Sequence, residues 1–182
     1  MIDDTEQSFV VKPIGFVESL YRDFDEVPHN HKKKGWTEEP CRIVLLPEHA
    51  KKLQGLEGFS HIVVIFWVHK AREWRMPKGH RKPDWVKVFA TRMPRRPNPI
   101  GMSVVQLSGF CSETGSIDVK GLDCLHGTPV LDIKPYIAQC DSFPDATVPD
   151  WVIRKRAGLG PQEHNHVGRR DETRQEPARS QK

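Results

Sequence analysis

Short apolar stretches separated by turn-forming residues recur along the chain, and they predict strands rather than long helices. Pro13-Ile14-Gly15-Phe16-Val17 opens a first strand within Val10–Leu20, and Arg42–Leu46 marks a second. His61–Val68, apolar from Ile62 onward, reads as a third strand buried on both faces. Val86–Thr91, Met102–Phe110, Ser116–Val119 and Val130–Ile133 bring the total to about seven. Cys111-Ser112-Glu113-Thr114-Gly115-Ser116 has the composition of a hairpin loop. One segment has helical character: Pro47 opens it, Ala50, Leu53 and Leu56 mark its apolar side, and Gly55 or Gly58 stops it. Strands without a strand–helix–strand rhythm predict a mostly β fold, an antiparallel barrel or sandwich with short helices. Segments 21–40 and 70–85 are polar and read as functional loops.

Composition places boundaries on this picture. A chain of 182 residues carries one well-buried domain, here 1–153, with an appendage at 154–182. That appendage holds eight Lys/Arg against four Asp/Glu and, from about Ala157, almost no apolar residue, which predicts a disordered tail. The longest apolar run, Ile62–Val68, is strand-sized, so no membrane span is expected. The acidic start Met1-Ile2-Asp3-Asp4 lacks the order of a signal peptide, and Cys41, Cys111, Cys124 and Cys140 form no Cys-x-x-Cys pair. Reduced thiols in a cytoplasmic protein follow.

Charge is uneven. Residues 69–96 hold ten Lys/Arg against Glu73 and Asp84, with Trp74 and Trp85 interleaved. A basic stretch with aromatics suits a polyanion with exposed bases, and a merely solubilising surface would have the same composition. Within it begins Ala90-Thr91-Arg92-Met93-Pro94-Arg95-Arg96-Pro97-Asn98-Pro99-Ile100-Gly101-Met102. Prolines at 94, 97 and 99 exclude a helix or an inner strand, and they hold the arginines on a stiff loop suited to an anion or a planar base.

A second motif runs from Gly121 to Tyr136. Gly127-Thr128-Pro129 is a turn, and the strand after it places Asp132, Lys134 and Tyr136 on one face. They make either one chemical site or an ion pair at a barrel rim with a neighbouring tyrosine. No phosphate loop, Gly-x-Gly-x-x-Gly or Gly-x-Ser-x-Gly element occurs, which excludes the doubly wound nucleotide-binding folds. His29-Asn30-His31 and His164-Asn165-His166 lack further ligands at a telling spacing, so no metal site is expected.

Gly55-Leu56-Glu57-Gly58-Phe59-Ser60-His61, Phe89-Ala90-Thr91-Arg92, Arg96 to Met102 and His126 to Tyr136 together resemble the TsaA-like (TrmO) methyltransferases, over about Pro13 to Asp145. The resemblance implies a small single-sheet β-barrel, usually a homodimer, that uses S-adenosyl-L-methionine to methylate N6 of threonylcarbamoyladenosine beside the anticodon of tRNA. It implies cofactor contacts from Arg92 and Met102, from His69 and Lys70, and from Gly121, Leu122 and Asp123. The family's Pro-Arg-Gln is absent: Val27-Pro28-His29-Asn30-His31-Lys32-Lys33-Lys34 stands there, with Pro28 as the equivalent proline. Asp132 or Tyr136 would serve as base, with Lys134 stabilising developing negative charge. Arg95, Arg96 and Asn98 are the better candidates for the acceptor, the tRNA anticodon stem-loop, while Arg92 and Arg96 equally suit the cofactor carboxylate, the threonyl carboxylate or a tRNA phosphate. A same-fold enzyme with another acceptor, and a protein that binds S-adenosylmethionine without transferring its methyl, stay open.

Overall fold

Six strands close into an antiparallel barrel in the computed structural model, which describes residues 9–27, 39–76 and 82–157. They are β1 (Gly15–Glu18), β2 (Pro40–Leu45), β3 (His61–Trp67), β4 (Ile100–Cys111), β5 (Ser116–Lys120) and β6 (Pro129–Pro135). Around the barrel the order is β1-β2-β5-β4-β3-β6, with β6 returning to β1 through Gly15 opposite Val130. The mostly β barrel expected from the alternating pattern is therefore present. Its core is built from one side of each strand: Val17, Ile43, Ile62, Val105, Ile117 and Val130 are almost completely buried.

Two strand expectations need correction. β3 is not buried on both faces; Ile62, Val64 and Phe66 point inward while His61 and Trp67 are exposed and Val63 and Ile65 are half-buried. An apolar outer face mimics a doubly buried strand in sequence. Val86–Thr91 is not a strand: Val88–Ala90 is a 3-10 turn, closed by Ala90 N–H donating to Lys87 O at 3.2 Å and Thr91 N–H to Val88 O at 3.0 Å. Those two N–H groups are spent inside the turn and are not offered to a neighbouring strand. The helical segment is likewise a 3-10 helix over Pro47–Leu53, ending before Gly55.

Alternating strand directions bring the β1–β2, β3–β4 and β5–β6 connections out at the same end of the barrel. The last of these, 121–128, closes that end: Leu122, Cys124 and Leu125 are buried, and Ser19 Oγ donates to Cys124 O at 2.7 Å. Burial pushes the Cys41 thiol up to about 11, and raises that of Cys124 well above its usual value. On β4, Gly101 lies under the Phe66 ring, where an added Cβ would stand 2.2 Å from a ring carbon.

The chain divides into two compact units, Met1–His80 with Lys87–Ala146, and Arg81–Val86 with Thr147–Lys182. The first holds the barrel and α1 (Ala138–Asp141). In the second, Val86 N–H donates to Pro83 O, Lys82 Nζ reaches Val86 O at 2.7 Å, and α2 (Asp150–Arg156) runs across the expected boundary at 153/154. Residues 158–182, expected to form the disordered tail, lie outside the described residues. No helix among the described residues is long and apolar enough to cross a membrane.

Candidate functional site

A cleft of about 590 Å³ opens where β3 ends, lined by Trp67, Val68 and His69 on one side and by Arg95, Arg96 and Pro97 on the other. Val68 N–H donates to Pro99 O at 2.7 Å, so the end of β3 and the proline-rich loop are joined by main chain. The loop itself is held by side chains. Arg96 Nη1 donates to Thr91 O at 2.7 Å and Val88 O at 3.2 Å, and Thr91 Oγ1 also reaches Val88 O at 2.8 Å. Proline stiffness and these bonds fix Arg96 before any ligand arrives.

His69 stands between this cleft and the turn before β6. Its Nδ1 lies 3.5 Å from Oγ1 of the buried Thr128, in a turn that Gly127 makes at φ +76°. Partial burial first, and the neighbouring Lys70 charge second, lower the His69 pKa below 6.5. At neutral pH the ring is therefore uncharged. Lys70 turns the other way: its Nζ donates to Arg22 O at 3.2 Å and lies 3.9 Å from Asp23, tying the β3 end to the β1–β2 connection.

The remaining residues expected at the cofactor are spread along the same barrel end. Arg92 Nη2 donates to Met102 O at 3.0 Å. Asp123 accepts from Ser103 Oγ at 3.3 Å. Gly121 is buried, its N–H donating to Glu39 O at 3.2 Å. Leu122 packs in the core at 2% exposure, so its side chain serves the barrel and any ligand contact from it falls to its main chain. Asn98 is exposed, and its carbonyl accepts from Ile100 N–H at 2.7 Å. Pro28, with His29, His31 and the lysines that follow, lies outside the described residues, as does the second His-x-His.

Asp132, Lys134 and Tyr136 do share one face, the outside of β6, and they do not line the cleft. Asp132 Oδ2 and Lys134 Nζ form an ion pair at 2.5 Å with both side chains about half exposed. Tyr136 meets the His61 ring edge-on, with centroids 6.3 Å apart. Strand register sets these residues in rows: Asp132, Ile65 and Met102 lie side by side, then Lys134, Val63 and Val104, then His61 beside Gln106. Two strand spacings of about 4.8 Å put Asp132 roughly 10 Å from Met102. Above them stand Trp67 and Ile100.

Trp67, Ser103 and Arg72, which also lines the cleft, were not singled out by sequence motifs, and Thr128 was read only as part of the turn before β6. Period-two alternation from His61 would have sent Trp67 outward to the cleft. Nothing local marks Ser103 as the partner of Asp123.

A guanidinium pair, an uncharged imidazole, a tryptophan and proline rings suit a ligand that combines a carboxylate or phosphate with a planar base. Residues 16–142 match the family description tRNA-methyltransferase O N-terminal domain. A probable S-adenosyl-L-methionine-binding protein of Methanothermobacter thermautotrophicus is 39% identical over 136 residues, covering 73% of this chain and 93% of its own. The Escherichia coli tRNA (adenine(37)-N6)-methyltransferase is 35% identical over 147 residues, 77% of this chain and 63% of the enzyme. The human tRNA (adenine(37)-N6)-methyltransferase is 34% identical, and this chain spans 36% of its length. The crystal structure of TrmO from Pseudomonas aeruginosa superposes with a TM-score of 0.64 at 36% identity, over 78% of this chain and 62% of that one. The chain belongs to the tRNA-methyltransferase O family.

Proposed function

We propose that this protein is an S-adenosylmethionine-dependent methyltransferase acting on N6 of threonylcarbamoyladenosine beside the anticodon of tRNA. One observation carries the reading beyond family membership. The cleft sets His69, which the family resemblance gives to the cofactor, opposite Arg95 and Arg96, which we assign to the acceptor. The residues present fit S-adenosylmethionine: Arg72 in the cleft and Arg92 beside Met102 match its carboxylate, and Trp67 and the proline faces match its adenine. A volume of about 590 Å³ is within the range of roughly 300–1,000 Å³ that small-molecule sites occupy.

When bound, S-adenosylmethionine supplies an electrophilic methyl group on a sulfonium. The protein's part is to align that methyl with N6 and to accept the N6 proton. Arg92, Met102 and the 121–123 segment hold the donor; Arg95, Arg96 and Asn98 hold the threonyl carboxylate or an adjoining phosphate. Asp132 accepts the proton, and Lys134 beside it stabilises negative charge on the carbamoyl group. Asp132 lies on the outer face of β6, one row below Trp67 of the cleft, and a second copy of the chain packed on that face would enclose the two in one site. The exposed apolar side chains Ile100, Met102 and Val104 on that same face provide the surface for a homodimer. The setting is the cytoplasm, where tRNA is modified.

Cofactor binding without transfer is the second reading. It is favoured by the ion pair that already occupies Asp132. Radiolabelled S-adenosylmethionine incubated with tRNA that carries or lacks threonylcarbamoyl separates the two. Label in the modified tRNA alone is expected; label in another acceptor, or tight cofactor binding with no transfer, overturns the first reading.

A further inference from the structure

Phe89 is 79% exposed on the Val88–Ala90 turn, and the Arg96 guanidinium stands over its ring, 5.9 Å from the centroid. The main chain that carries the ring is held, and so is the guanidinium. Val88 O, immediately before the phenylalanine, accepts from Thr91 N–H, Thr91 Oγ1 and Arg96 Nη1. Arg96 is anchored a second time at Thr91 O, 2.7 Å away. The same Arg96 lines the cleft, so one arginine meets both the ring and the cleft. A loop that fixes an aromatic ring in water, with a cation on it and a ligand-sized cavity next to it, has made a flat platform. Packing of the barrel gives no reason for it.

We propose that Phe89 and Arg96 form a stacking platform for an unpaired nucleobase, the one adjacent in sequence to the nucleotide whose base enters the cleft. Charge selects this occupant. Residues 87–96 contain Lys87, Arg92, Arg95 and Arg96 and no acidic residue, which matches phosphates flanking a base and disfavours a cationic or purely apolar partner. Single-stranded bases are recognised by stacking on aromatic and guanidinium planes, and a loop nucleotide drawn into a site leaves its neighbour unstacked. Arg96 then has two partners at once, the Phe89 ring on one side and a phosphate or the acceptor carboxylate in the cleft. The inference rests on the tRNA reading above and adds a residue that reads the bound loop.

Stacking of one base on an aromatic side chain is worth roughly 5- to 150-fold in affinity. Phe89→Ala should raise KM for an anticodon stem-loop by a factor in that range, with kcat and S-adenosylmethionine affinity near wild type, and Phe89→Trp should restore it. Phe89→Leu should not, because it keeps apolar bulk and loses the π face. Stem-loops with 2-aminopurine placed on either side of the target base should show quenching at one position with wild type and none with Phe89→Ala. Equal KM and equal quenching in wild type and Phe89→Ala would overturn the platform. Methyl transfer by the wild type reports separately on the tRNA reading: if it fails while stem-loop binding still depends on the ring, the platform stands and the acceptor is wrong.

Discussion

Arg92 and Met102 are joined by a single hydrogen bond, from Nη2 of the arginine to the strand carbonyl of the methionine at 3.0 Å. The bond runs from the stiff loop to strand β4 and ties together two residues that the family resemblance sends to the same ligand. Their roles can be separated. As a clamp, Arg92 is exposed and replaceable, and its removal should leave the melting temperature near wild type. As a cofactor ligand it supplies a charge-assisted bond of the stronger kind, so Arg92→Ala should weaken S-adenosylmethionine binding roughly 10- to 100-fold by calorimetry. Lysine lacks the planar fork and should recover only part of that loss. Unchanged affinity in Arg92→Ala would leave the residue as a loop clamp alone.

Asp132 is held by Lys134, and both side chains are about half exposed. Such a pair adds only about 0–1 kcal/mol to stability, so neutralising the carboxylate should scarcely move the unfolding midpoint. Transfer should respond much more strongly. Removing a positioned proton acceptor typically costs 10²- to 10⁴-fold, and Asp132→Asn should slow single-turnover methylation by about that much with cofactor affinity unchanged. Wild-type rates in Asp132→Asn would pass the role to Tyr136 or to solvent.

The barrel was legible because its strands bury one side chain in two, and period-two alternation survives in β1, β2 and β5 without help from neighbours. β3 misled for a physical reason: Val63, Ile65 and Trp67 are apolar on the outside, and a sequence cannot tell an outer apolar face from an inner one. Val86–Thr91 misled because its β-branched and aromatic residues read as a strand, whereas Ala90 and Thr91 spend their N–H groups on the local turn at Val88–Ala90. In the site, the Arg/Pro loop and the β6 motif could be read locally. Their separation could not, since it follows from barrel register that brings Asp132 level with Met102 across Ile65.

That register exposes a contiguous apolar face. Met102 is 53% exposed and Val104 45%, on the same side of β4 as Ile100 and beside half-buried Val63 and Ile65 on β3. A carboxylate in the middle of this face would have to be desolvated on self-association, and the barrel of a lone chain would barely register it. The proposed dimer predicts a dimeric wild type and a monomeric Val104→Glu in light scattering, with the far-ultraviolet dichroism of the strands retained, and a monomeric wild type would overturn it. A variant that stays dimeric would locate self-association elsewhere.

Gly101 is demanded by packing. An added methyl would meet Phe66 ring carbons at 2.2 and 2.3 Å, and that ring is held in the core at 8% exposure. Overpacking of this kind costs about 1–3 kcal/mol. Gly101→Ala should lower the urea midpoint accordingly, and the double variant Gly101→Ala with Phe66→Leu should recover part of the loss because the clashing ring is gone. An unshifted midpoint for the single variant would mean that β4 can move away from β3 at no cost.

His69 sets a pH response whose sign is fixed by its surroundings. Burial and the Lys70 charge lower its pKa in the folded chain, so as pH falls through about 6.5 the unfolded chain takes up the proton first. Protons then bind more readily to the unfolded state, and folding stability declines on the acid side; the contribution is complete above the unfolded value and is lost below it. The uncharged ring is also the form that faces the cleft at neutral pH. A proton nuclear magnetic resonance titration should give His69 a midpoint below that of the imidazole in the unfolded chain. His69→Asn should flatten the fall in melting temperature between pH 6.5 and the folded midpoint. A His69 midpoint at or above 6.5 would mean that the ring is less buried, or farther from Lys70, than the geometry at the end of β3 requires.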